Sequence, residues 1–141
     1  MHADGLFVHG PLREGGSQHR WLQRTHPEGT CRAWAPGRLF HLPEAAQAAL
    51  LPGAIPPSLP PGPGWVTGEF VGYGDEADLL SALSDLEALA TEAGGEARLI
   101  PVLLEGGATY LAWAWVFPVE QCSRLEQEAV EVPSGDWAPW L

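Results

Sequence analysis

One carboxylate in this sequence stands where a solvated carboxylate is out of place. Asp75 to Glu92 has the pattern of an amphipathic helix: an acidic first turn suits the helix dipole, and Gly94-Gly95 ends it. In helical projection Leu79, Leu83, Leu86 and Ala90 share one apolar stripe, with Leu80 at its edge. Glu87 projects about 40° from Leu83, between Leu83 and Leu80, while Asp78, Asp85 and Glu92 take the opposite face. Glu76 also projects onto the stripe, but an acid in the first turn is explained by the dipole. Unless the helix ends early or the residue leans out at the rim, a carboxylate in such a stripe is paired, protonated or set at a cavity. Desolvation would raise its pKa toward the range of a general acid/base. Glu87 is therefore the first candidate for proton-transfer chemistry.

A second candidate is a loop. Gly10-Pro11-Leu12-Arg13-Glu14-Gly15-Gly16 directly follows the short apolar run Leu6 to Gly10. Backbone N–H groups there can hold a carboxylate or an oxyanion, and a plain turn is the other reading. The remaining reactive residue types form no pattern. His2, His9, His19, His26 and His41 make no i,i+4 pair around a carboxylate, and no Ser lies in GxSxG. Cys31 and Cys122 lie far apart with no CxxC, and they read as two small buried hydrophobes. No metal site is implied.

Composition narrows the classes further. Among 141 residues, Lys plus Arg is 7 and Asp plus Glu is 18, for a net charge of −11. A surface that negative argues against nucleic acid or an anionic membrane as a partner, and seven Trp without a basic groove do not make a base-stacking platform. All seven cations are Arg, and without Lys the chain can be neither a Walker-type nucleotide binder nor a Schiff-base or pyridoxal-phosphate enzyme. No apolar stretch reaches membrane-spanning length, and Met1 to Gly5 lacks a basic region before an apolar one, so a cytoplasmic protein is expected.

The elements that must position these candidates fit one domain spanning residues 1–141. Leu6 to Gly10 reads as a buried strand, followed by a short helix at His19 to Gln23 capped by Ser17. Thr30 to Ala35 and Gly37 to His41 read as strands parted by Pro36, and Ala-rich Pro43 to Leu51 reads as helical. Six prolines between Pro52 and Gly64 predict a stiff ordered crossing, with a proline-recognition ligand as a minor reading. Trp65 to Tyr73 is strand-like. Ala97 to Leu104 and Thr109 to Phe117 form a hairpin across Gly106-Gly107, with Trp113 and Trp115 on one core-facing side. Val119 to about Glu128 predicts a short helix, and Pro133 to Trp137 a turn. The total is about six strands and two or three helices, a mixed α/β class rich in antiparallel pairing.

Taken in order, these segments resemble the gamma-glutamylcyclotransferase-like family. Phe7-Val8-His9-Gly10-Pro11-Leu12-Arg13 stands where the family has a strand and a Tyr-Gly-Ser/Thr-Leu loop, and Gln18 to Leu22 matches an Asn-His-x-x-Leu element. Gly37-Arg38-Leu39-Phe40 and Val66-Thr67-Gly68-Glu69-Phe70 resemble two family strands. Leu83-Ser84-Asp85-Leu86-Glu87 resembles the family helix with its catalytic glutamate, and Ser134-Gly135-Asp136-Trp137 recurs in bacterial members. The resemblance implies an antiparallel-rich, barrel-like sheet with flanking helices. It implies release of 5-oxoproline from a small gamma-glutamyl amine or peptide with no cofactor, Glu87 being the acid/base and the loop from His9 through Gly10 and Pro11 to Leu12 the substrate cradle. His9 stands for the family Tyr, Pro11 for its Ser/Thr, and Glu96-Ala97-Arg98 for a Tyr-x-Arg. A non-catalytic small-ligand or protein-binding module on the same fold is the alternative.

Overall fold

The computed structural model describes residues 3–13, 19–42, 47–92 and 95–136. Ser17, Pro43 to Ala46 and Trp137, which carried sequence expectations, lie outside them.

The first strand, β1 (Gly5–Val8), is buried along its whole length because it is paired on both sides and packed on both faces. It runs antiparallel to β4 (Trp65–Gly72), with Phe7 opposite Phe70, and parallel to β6 (Thr109–Val116), with Leu6 opposite Trp113. β6 forms the expected hairpin with β5 (Glu96–Leu104), Ile100 facing Ala112, and β5 returns to β2 (Gly29–Leu42) through Ala33–Leu104 and Trp34–Leu103. With β2 paired to β4, five strands close into a barrel in the order β2-β4-β1-β6-β5. Its interior mixes large and small side chains, Phe7, Phe70, Ile100 and Val102 against Ala33, Ala35, Ala112 and Ala114. Such a mixture lets side chains fill the interior of a small barrel.

Two expectations change at β2. Pro36 does not divide two strands: β2 is one bent strand of 14 residues whose first part belongs to the barrel. Its second part, from Gly37 to Leu42, pairs with β3 (Gln47–Pro52), and Leu39 to His41 pair with β7 (Val130–Val132). The Ala-rich stretch read as helical thus contains a strand at its C-terminal end. The physical reason is tertiary. Leu50 packs toward the barrel core while Ala49 and Leu51 pack toward Phe40, Phe117 and Leu125, so alternate residues bury on two faces. Only the period of a strand does this, and it overrides the helix preference of Ala. The proline-rich crossing is fastened to the bend, Gly53 N–H donating to the Pro36 carbonyl (3.2 Å) and Gly37 N–H to that of Gly64 (2.8 Å). The Trp65 indole N–H donates to the Ser58 carbonyl (2.8 Å).

Three helices flank the sheet among the described residues: α1 (His19–Gln23), α2 (Glu76–Glu92) and α3 (Cys122–Glu128). Asp75 caps α2, its Oδ1 accepting from Asp78 N–H (2.8 Å). α2 lies on the outer face of the barrel, with Leu79, Ala82 and Leu86 against Leu6, Val8, Val71 and Trp115. Trp113 packs against the same cluster, as the alternation of β6 predicts. Cys31 is exposed and Cys122 only partly covered, so the reading of both as buried hydrophobes fails. Among the described residues no helix is long and apolar enough to cross a membrane.

Candidate active site

The loop after β1 leaves the barrel as a single 3-10 turn, Gly10–Leu12. Gly10 has φ 63°, and a Cβ there would lie 2.6 Å from the Cβ of Ala48, so glycine is required twice over. Pro11 has no N–H, and the N–H of Arg13 is occupied by the Gly10 carbonyl (3.1 Å). Neither of these two positions therefore offers a backbone donor to a ligand. Its C-terminal side is fixed by α1, where His19 Nδ1–H donates to the Leu12 carbonyl (3.0 Å). Leu12, Leu22 of α1 and Leu86 of α2 belong to one apolar cluster, in which α1 touches both the loop and the helix that carries Glu87.

Glu87 itself is not where periodicity puts it. It is exposed, and Leu80 is 47% exposed. The buried side of α2 is centred on Leu79, Ala82 and Leu86, with Leu83 partly covered. The true stripe is rotated toward Ala82, a residue the projection left out, and Glu87 comes to its rim. The desolvation expected of an interior carboxylate does not follow.

His9 and Arg13 flank the turn. His9 Nε2 lies 3.5 Å from the Trp115 carbonyl, and a carbonyl only accepts, so Nε2 carries the proton. Burial holds the His9 pKa down at about 4; the contact with the Trp115 carbonyl opposes this and nearby Arg13 adds to it. Arg13 is 9% exposed, and its Nη1–H donates to Asp136 Oδ1 (2.6 Å) across 123 positions of sequence. Asp136 is presented by the turn after β7. There Gly135 (φ 71°) accepts from Thr67 N–H (2.7 Å) and lies so close to Trp65 that a Cβ would strike that residue's carbonyl oxygen. Sequence reading placed neither Arg13 nor Asp136 in the site. Both stood inside quoted motifs, but a pair this distant in sequence has no local signal. Glu96, at the start of β5, pairs with Arg98 (2.7 Å) at the surface.

The His9 environment has a defined consequence for stability. The ring takes up a proton more readily unfolded (pKa 6.5) than folded (about 4). Its contribution is complete above pH 6.5 and is lost as pH falls toward 4, up to about 3 kcal/mol. Chemical denaturation at pH 7 and pH 5 should show the native protein losing roughly 2 kcal/mol more than His9→Leu over that interval. Equal losses would show that His9 titrates alike in both states.

Among the described residues, no group of three or more His, Cys, Asp and Glu is arranged to hold a metal ion. The family model described as gamma-glutamyl cyclotransferase, AIG2-like matches residues 6–139. No curated protein matches the chain. YkqA from Bacillus subtilis is 18% identical at a TM-score of 0.58, the match covering 98% of this chain and 40% of YkqA. An AIG2-like protein from Mus musculus is 18% identical at a TM-score of 0.54, over 82% of this chain and 78% of that one. An uncharacterized protein from Pyrococcus horikoshii is 18% identical at 0.54, over 95% and 89%. At such identities these structures attest the fold alone.

Proposed function

The chain belongs to the gamma-glutamyl cyclotransferase, AIG2-like family, and on that footing we propose that it releases 5-oxoproline from a gamma-glutamyl amine or peptide, with Glu87 as general acid/base. The observation that carries the reading is the shared apolar cluster of Leu12, Leu22 and Leu86, through which α1 links the loop after β1 to the helix bearing Glu87. In the reaction the substrate's own α-amine attacks its γ-carbonyl carbon. One C–N bond forms to close the five-membered ring, and the bond to the leaving amine breaks. Glu87 removes a proton from the attacking nitrogen and returns one to the departing nitrogen. Because nucleophile and electrophile belong to one molecule, the protein supplies orientation and proton transfer. A carboxylate at the rim of α2 suits this role, since it must reach both nitrogens and exchange protons with solvent between turnovers.

A screen of gamma-glutamyl amines and dipeptides for 5-oxoproline release tests the proposal. Turnover of none, with binding of one retained, would favour the non-catalytic ligand-binding reading. The loop adds a second test. Pro11→Ser restores a backbone donor and a hydroxyl at the turn, so it should raise kcat/KM several-fold through KM, within the ~1 kcal/mol typical of one hydrogen bond. An unchanged KM in a folded variant would show that the ligand is held by other groups.

A further inference from the structure

Among the described residues, two buried polar atoms at this loop have no hydrogen-bond partner: His9 Nδ1 and Arg13 Nε. They are of opposite character. With the proton of the neutral ring on Nε2, His9 Nδ1 is a lone-pair acceptor, whereas Arg13 Nε–H is a donor on a permanent cation. Both atoms are shut off from water, while His9 as a residue is only partly buried. His9 and Arg13 cap the two ends of the three-residue turn Gly10–Leu12, so the two groups share one locale. A buried acceptor and a buried cationic donor left unmade are costly to a fold. A ligand carrying an ammonium and a carboxylate on one carbon would satisfy both.

We propose that His9 and Arg13 form the subsite for the α-amino-acid head of the glutamyl group, His9 Nδ1 accepting from the α-ammonium and Arg13 Nε–H donating to the α-carboxylate. This rests on the cyclotransferase reading and deepens it. Pro11 and Arg13 offer the ligand no backbone donor, and the two side chains make up that deficit. When Glu87 removes one proton from the ammonium, a remaining N–H stays on Nδ1 and directs the freed lone pair at the γ-carbonyl carbon. Asp136 holds Arg13 by Nη1 and leaves Nε for the ligand.

The test is histidine 15N NMR on a Glu87→Gln background, which prevents consumption of the ligand, with His9 assigned by His9→Leu. The free protein should show His9 protonated at Nε2 and bare at Nδ1. Adding γ-glutamyl-alanine should move the Nδ1 resonance, and its N-acetyl derivative should not. Blocking either the ammonium or the α-carboxylate (as its methyl ester) should weaken binding about 10-fold or more. His9→Leu should remove the discrimination against the N-acetyl ligand alone. Binding of γ-glutamyl-alanine without a response at Nδ1, an equal response to the N-acetyl ligand, or a free protein protonated at Nδ1 would overturn the subsite while leaving the cyclotransferase reading intact. Failure of every gamma-glutamyl compound to bind or react would overturn both.

Discussion

Glu87→Gln is expected to lower 5-oxoproline release by at least ~100-fold while leaving the fold as stable as before. The two halves of this expectation have separate grounds. Gln keeps the shape and hydrogen-bonding capacity of the side chain but cannot take a proton from the substrate ammonium, and general acid/base groups typically contribute 10²–10⁴-fold. Stability should change by no more than about 0.5 kcal/mol, because Glu87 is exposed on α2 and the apolar face of that helix is carried by Leu79, Ala82 and Leu86. Had Glu87 been buried in the stripe, the same substitution would have relieved a desolvated charge and stabilised the protein. Denaturation curves of the variant together with a 5-oxoproline assay decide the matter. Retained turnover would end the assignment of Glu87 as the acid/base, whatever the stability shows.

How much of this was legible in the sequence follows from which interactions are local. The turn at Gly10, the helix from Glu76 and the hairpin across Gly106-Gly107 are set by near neighbours, and all three are present where the sequence puts them. Whether residues 47–52 become strand or helix is decided by what lies on either side of them. Their partner is the second part of β2, and their two buried faces come from Leu39 and from Phe40 with Leu125, which no window of sequence contains. The face of α2 failed for a related reason. The projection counted Leu80 and left out Ala82, but the barrel wall of Leu6, Val8, Val71 and Trp115 packs against the small Ala82 and leaves Leu80 outside. Glu87 moved with that rotation, from inside the stripe to its rim. Its position along the chain was readable from motif order. Its environment was not.

The ion pair between Arg13 and Asp136 should couple the stability of the fold to the geometry of the site, and a double-mutant cycle measures how strongly. Arg13 retains 11% of its side-chain exposure and Asp136 40%, so the two partners stand in unequal surroundings. Asp136→Ala leaves a nearly buried guanidinium without this carboxylate. A fully buried pair broken in this way costs 3–5 kcal/mol, and the partial exposure of Asp136 lets water take up some of the loss, so about 2 kcal/mol is expected. Arg13→Met keeps most of the aliphatic volume and leaves behind an aspartate that water can reach, which should cost less, about 1 kcal/mol. Once Arg13 is Met, removing Asp136 strands no charge, so the double variant should be more stable than the sum of the two losses implies, by about 1–2 kcal/mol. The turn presenting Asp136 is independently anchored by Gly135 against Trp65 and Thr67, so Asp136→Ala should loosen the loop at Arg13 more than the C-terminal turn. Urea denaturation of the four proteins gives the coupling, and hydrogen exchange of the Arg13 amide, which rests on the Gly10 carbonyl, reports the loop directly. Strictly additive losses with unchanged exchange at Arg13 would show that the pair holds neither the fold nor the loop.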